Sequence, residues 1–293
     1  MPRNKWGYAL LGIVLLCAGF PRAQVAAQKE KKKQVEKEKA SSLSQTLASR
    51  HPYIVSIRST RRSSHLCNGV LVGNRTVLTA AHCMDVRQST LAEPNPEVWV
   101  GTFTTDELDE SIAVVRKVVR FKMHPKYRGN RRKGYDMASL QLDEAVVSER
   151  HRPIRLMSPK IAEIIFQQGS PLGLLGFGRT SARSGAAPVL QLGFMNYIEN
   201  KECNRKYFKG AVTKSMLCAG ETASGACTGD DGAPLILLGR KPQLDILVGV
   251  VSIPDSRCGT TSSPVPSVFA PVHELFDFIA SSIEKFDVDE PLE

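Results

Sequence analysis

After its first 20 residues the chain has no apolar run approaching the roughly 20 residues that a bilayer-spanning helix needs, which excludes a polytopic helical membrane protein. It has no Cys-x2-Cys pair, so the common structural zinc spacings are missing. It has no internal repeat, which sets stacked-repeat architectures aside. A composition of 42% hydrophobic and 23% charged residues fits neither a fibre nor a wholly disordered chain. At 293 residues the chain is long enough for a sizeable core, in one large β domain or two smaller ones.

What is present begins with a leader. Arg3 and Lys5 precede the uncharged residues 6–20 (WGYALLGIVLLCAGF), and small residues follow at 23–27. This is the layout of a secretory signal peptide over residues 1–27, cleaved near Ala27, and its apolar run is short for a membrane anchor. The expected location is therefore secreted and extracellular. Cys17 leaves with the leader. Cys67, Cys83, Cys203, Cys218, Cys227 and Cys258 remain, an even set suited to three disulfides, although six cysteines permit 15 pairings. Loss of Arg3, Lys5 and Arg22 lowers the formal charge from +10 to +7. In an exported chain Asn74-Arg75-Thr76 is a glycosylation sequon with Asn74 as the acceptor.

Residues 28–50 read as a charged, Lys-rich arm and linker, opening with QKEKKKQVEKEKA and offering little to bury. From residue 51 the texture changes to short β-rich segments punctuated by Gly, Pro and Asn. They fall at 53–57, 69–72, 76–78, 97–100, 112–120 and 137–142, then at 172–177, 188–198, 234–238, 244–251 and 268–269. Many short strands argue for an all-β sandwich or barrel. One helix is expected over 271–285, where Val272, Leu275, Phe276, Ile279 and Ile283 recur at helical spacing and Pro271 suits a first turn. Residues 287–293 read as an acidic tail with nothing to bury.

Three segments carry the chemistry: Leu78-Thr79-Ala80-Ala81-His82-Cys83, Tyr135-Asp136-Met137-Ala138-Ser139-Leu140, and Cys227-Thr228-Gly229-Asp230-Asp231-Gly232-Ala233-Pro234. In order and separation they resemble the His, Asp and Ser motifs of trypsin-like serine proteases, and the resemblance extends over residues 51–286. Gly176-Phe177-Gly178, Gly249-Val250-Val251-Ser252 and Pro266-Ser267-Val268-Phe269 add to it. The resemblance implies an all-β fold of two six-stranded antiparallel β-barrels of the chymotrypsin type, a cleft between them and a C-terminal α-helix. It also implies the disulfides Cys67–Cys83, Cys203–Cys218 and Cys227–Cys258.

In that family a Ser hydroxyl attacks the substrate carbonyl, a His takes its proton, an Asp orients the His, and two backbone N–H groups hold the oxyanion. Here His82 and Asp136 match the base and the orienting Asp, and Gly229 matches an oxyanion-hole position. The nucleophile position holds Asp231. A carboxylate is already ionised at neutral pH, so it offers no proton to withdraw, and its charge opposes the oxyanion.

Four further departures accompany it. The expected activation terminus after Lys39 reads Ala40-Ser41-Ser42-Leu43, with no Ile-Val, so Asp230 lacks the cation that it pairs with in active relatives. Ala233 stands for a Gly beside the nucleophile. The specificity pocket has Gly225 at its base, with no carboxylate for a basic side chain, and Ser267 for Gly in its wall. Ser252-Ile253-Pro254 occupies the segment that pairs with substrate backbone, and Pro254 has no N–H to donate.

The resemblance thus implies a pseudo-protease acting as a binding or regulatory protein. It would serve as a cofactor or decoy for active proteases in extracellular fluids such as immune or reproductive secretions, without cofactor or metal. If Asp231 lies within reach of His82, the imidazole sits between two carboxylates and is held protonated. Residues 120–133 hold seven Lys or Arg and no acid, and the resemblance places 128–133 at the rim of the cleft. Arg128, Arg131, Arg132 and Lys133 are therefore candidates for binding an acidic protein or sulfated glycan. The expected partner is an extracellular protein, another protease among the choices; nucleic acid is not expected, nor a membrane span after signal cleavage. Two alternatives stay open: a hydrolase in which Asp231 acts as general base on water, and a polyanion-binding module on the same fold.

Overall fold

The computed structural model describes residues 49–288, apart from 88–92, 94, 147, 149, 182, 208–210, 221–224, 256–257 and 259–264. The expected signal peptide, most of the charged arm and residues 289–293 lie outside the described residues.

Six strands form a closed barrel: β1 (Ile54–Arg58), β2 (His65–Leu71), β3 (Thr76–Thr79), β4 (Glu97–Val100), β5 (Val114–Met123) and β6 (Ala138–Leu142). Their order around the barrel is β1-β2-β3-β6-β5-β4, and every pairing is antiparallel. Closure removes the free edges that an open sheet would expose. β1 is buried along its whole length, whereas β5 sends Lys117, Arg120 and Lys122 to solvent.

The second sheet comprises β7 (Arg155–Leu156), β8 (Pro171–Gly176), β9 (Gln191–Ile198), β10 (Leu217–Gly220), β11 (Pro234–Leu237), β12 (Ile246–Ile253) and β13 (Ser267–Pro271). Six of these close antiparallel in the order β11-β8-β9-β10-β13-β12, with β12 returning to β11. The two-residue β7 is added in parallel to β12. The expected pair of six-stranded barrels is therefore the observed architecture, with β7 as an appendage.

One core cluster runs through both barrels, with Tyr53, Leu71, Leu140, Phe177 and Phe269 among its fully buried side chains. Each such side chain withdrawn from water contributes roughly 1.5–3 kcal/mol. The three disulfides are Cys67–Cys83, Cys203–Cys218 and Cys227–Cys258, the pairing that the resemblance implies.

Among the described residues the complete α-helices are α1 (Ala81–Met84), α2 (Pro159–Ile165), α3 (Asn200–Lys206) and α4 (Phe276–Asp287). The last begins five residues later than the periodicity suggests. Pro271 sits instead on β13, opposite Gly249 of β12, and a turn separates it from the helix. Helix α4 buries Phe278, Ile279, Ser282 and Phe286 and packs against β3 and β6 of the first barrel. Asp287, expected at the head of a free acidic tail, ends this helix. Its carboxylate accepts from the backbone N–H groups of Asn74 and Arg75 at 2.6 and 3.0 Å, and from Thr76 Oγ1 at 2.7 Å. Gly73 makes that approach possible, because a Cβ there would collide with the Asp287 carboxylate. No helix among the described residues is long and apolar enough to cross a membrane.

Candidate functional site

The three motifs converge between the barrels. His82 follows β3 on the single turn of α1. Asp136 precedes β6, and the chain reaches it through Tyr135, held at φ 58° with its ring stacked on His124. That left-handed conformation is costly for a bulky residue and is offset by packing around it. Asp231 lies on the loop between β10 and β11, where Gly232 has φ 76° and a Cβ would strike the Asn68 carbonyl and Thr79 Oγ1.

Asp136 grips His82 twice. Its Oδ1 accepts the backbone N–H of His82 at 2.9 Å, and its Oδ2 lies 2.7 Å from Nδ1. Ser252 Oγ donates to the same Oδ2 at 2.6 Å. On the other side of the ring, Nε2 is 3.0 Å from Asp231 Oδ1. Burial pulls the imidazole pKa down, but the Asp136 and Asp231 carboxylates outweigh it and lift it to about 9. The imidazole is thus protonated at neutral pH, donating from both nitrogens.

Burial pushes Asp231 up, but the hydrogen bond and charge of His82 and the charge of Arg131 hold it below the ordinary carboxylate value. Its own backbone N–H also favours the ionised form. In the family's chemistry that N–H is one of the two oxyanion donors, so here it faces a negative charge already in place. Arg131, expected as an outward basic residue, turns into the cleft. Its Nη1 donates to Asp231 Oδ1 at 3.1 Å and to the Ser252 carbonyl at 3.2 Å. Arg128, Arg132 and Lys133 stay exposed.

Asp230 points the other way, beneath the loop. Its oxygens accept the N–H groups of Gly178 at 2.9 Å and Cys227 at 2.8 Å, and no cation among the described residues pairs with it. Burial raises its pKa to about 7 despite those two bonds. It faces a cavity of about 180 Å³ lined by Leu174, Gly176, Gly178, Gly193 and Gly225. Gly225 therefore sits on this cavity's wall, with open space where a side chain would be. Buried Ser267 donates to the Ala226 carbonyl at 3.4 Å, bracing the neighbouring wall. Gly229 has φ 95°, and Pro254 follows β12 at the end of the strand that carries Ser252.

Asn68 is a residue that the motifs did not single out. Fully buried on β2, it donates from Nδ2 to the carbonyls of Gly229 at 2.9 Å and Asp231 at 3.3 Å, and accepts the N–H of Phe177 at 3.2 Å. Its backbone N–H donates to the Asp231 carbonyl at 2.8 Å. One side chain from the first barrel thus holds the loop that carries Asp231. The available signal was a lone amide within the apolar strand His65–Leu71, which needs partners when buried.

Among the described residues no group of three or more His, Cys, Asp or Glu side chains is arranged to hold a metal ion. The cluster at His82 has imidazolium nitrogens already committed to carboxylates.

A model of the family described as Trypsin matches residues 42–279. The chain is 33% identical to Trypsin 5G1 of Aedes aegypti over 221 residues, 74% of this chain and 75% of that protein. It is 31% identical to coagulation factor XI of Bos taurus over 221 residues, 73% of this chain and 33% of that much longer protein.

Proposed function

The chain belongs to the trypsin family, and from that membership we propose that it is a catalytically silent member, secreted and acting by binding an extracellular protein, with an active protease as the preferred class of partner. The observation that supports this most is the 3.0 Å contact between His82 Nε2 and Asp231 Oδ1. The reaction needs a neutral imidazole facing a hydroxyl. This one is a cation facing an anion, so it has no vacancy for a proton and no nucleophile to activate. Loss of the nucleophile in such a site costs about a million-fold in turnover. Asp230 without a cation and Pro254 without an N–H remove further parts of the working enzyme.

The test is the purified mature chain beside its Asp231→Ser variant, assayed on a broad peptide panel and with a fluorophosphonate that labels activated serines. Silence of the wild type is expected. Cleavage by the wild type above a contamination control would end the reading.

A second reading concerns the rim. With Arg131 turned inward, the exposed Arg128, Arg132 and Lys133 form a short basic edge suited to an acidic protein or sulfated glycan. Retention on heparin resin should fall when all three are neutralised; unchanged retention would dismiss this edge.

A further inference from the structure

Arg131 crosses the cleft. It leaves the short turn before β6 in the first barrel, and both of its acceptors, Asp231 Oδ1 and the Ser252 carbonyl, belong to the second. The charged groups that meet there are His82, Asp136, Asp231 and Arg131, two cations and two anions. Without Arg131 the floor would hold one imidazolium, two carboxylates and a backbone carbonyl stripped of its donor. That set has a net negative charge and an acceptor pair spaced for one cationic group. We propose that the floor of the cleft is a cation-recognition site, in which Arg131 stands in for a guanidinium or ammonium side chain presented by the partner.

The backbone geometry favours a side chain over a strand as the ligand. An extended peptide that paired with Ser252–Pro254 would need the Ser252 carbonyl, which Arg131 occupies, and an N–H from Pro254, which does not exist. A charged hydrogen bond to a partly shielded carboxylate is stronger than a neutral one, so a cationic side chain has most to gain at this point. Exchange is sterically open, because the Arg131 side chain is 42% exposed and comes from the rim. The cost is the displacement of the resident guanidinium, which lowers apparent affinity by the fraction of time that the site is free. The identity of the ligand as a partner's side chain rests on the binding role proposed above; the site itself does not.

The experiment uses the mature wild-type chain, Arg131→Ala and the double variant Arg131→Ala/Asp231→Asn. The probe is N-acetyl-arginine amide, with N-acetyl-citrulline amide as its uncharged counterpart, titrated by calorimetry. Arg131→Ala should bind the arginine probe at least ten-fold more tightly than the wild type. The citrulline probe should show no such gain, and the double variant should lose it. Equal affinity in the wild type and Arg131→Ala, or an equal gain for citrulline, would overturn the site. If Arg131→Ala does not fold, Arg131→Gln undergoes the same comparison. Peptide cleavage by the wild type would instead overturn the silent-protease reading and leave this binding comparison standing.

Discussion

His82 Nε2 lies 3.0 Å from Asp231 Oδ1 while Nδ1 lies 2.7 Å from Asp136 Oδ2, so one imidazole is held at both nitrogens by carboxylates from opposite barrels. The ring is thus a cation set between two anions. On the reading proposed above, this keeps the outline of a catalytic triad and reverses its electrostatics.

The first prediction concerns this ring. Burial lowers the His82 pKa, the two carboxylates raise it by more, and the net value is about 9. A group raised above its unfolded value contributes stability that is complete below about 6.5 and is lost as pH rises through about 9. NMR titration of the imidazole should therefore show a midpoint well above 6.5, and Asp231→Asn should move it down. A wild-type midpoint near 6.5 would refute the double clamp.

Asp230 has the opposite chemistry and a different window. Its carboxyl is raised to about 7 by burial, so the folded state holds its proton more firmly than the unfolded chain does. The stability contribution is complete below about 3.9 and declines as pH climbs through about 7. Urea unfolding between pH 4 and 8 should show this decline, and Asp230→Asn should flatten it. A variant with the wild-type slope would show that another group is responsible.

Removing Asn68 should loosen the loop that carries Asp231. Asn68→Ala strands the buried N–H of Phe177 and takes a donor from the Gly229 and Asp231 carbonyls. A buried group left without a partner costs about 1–3 kcal/mol, so a loss on the order of 2–3 kcal/mol in denaturant unfolding is expected. A change under about 0.5 kcal/mol, the range of ordinary surface substitutions, would mean that water replaces the amide.

Barrel architecture and the meeting of His82, Asp136 and Asp231 were legible because strand punctuation and three ordered motifs are local signals. Asn68 was not, since its partners are 109 to 163 positions away. The inward turn of Arg131 was hidden for a related reason: a basic run reads as solvated until the opposite barrel supplies a carboxylate 100 positions later. Helix α2 has a local signal of its own, with Ser158 accepting from the Ile161 N–H and Pro159 in the first turn. Helix α4 starts later than its periodicity suggests, because Leu275 and Val272 share its apolar spacing while Pro271 is claimed by pairing with β12.

A further prediction concerns the start of the fold. Asp245 is fully buried and accepts from Arg50 through both oxygens, from Tyr53 Oη at 2.6 Å and from the Gly239 N–H at 2.8 Å. Burial pushes its pKa up, but His51, Arg50 and Tyr53 together hold it well below the usual carboxylate range. Such a group stabilises above its unfolded value near 3.9 and loses that contribution as pH falls further. Asp245→Ala should cost on the order of 3 kcal/mol at neutral pH and reduce the acid sensitivity of the remainder. Equal acid sensitivity in both proteins would assign that behaviour elsewhere.

Asn74 is exposed on the turn between β2 and β3, with Thr76 buried beside it. Expression through a eukaryotic secretory pathway should give a glycosidase-sensitive mass increase that Asn74→Gln abolishes, with little change in thermal stability. An unmodified wild-type mass would refute the site.

The grip of Asp287 on the β2–β3 turn has a consequence for biosynthesis. All six strands of the first barrel are made by residue 142, yet the carboxylate that ties down its hairpin arrives 145 residues later. At roughly 5–20 residues per second, a ribosome leaves that turn without its anchor for about 7–30 seconds. The N-terminal barrel is thus made first and fastened last, and a truncated message that stops short of Asp287 would yield a barrel that lacks its clasp.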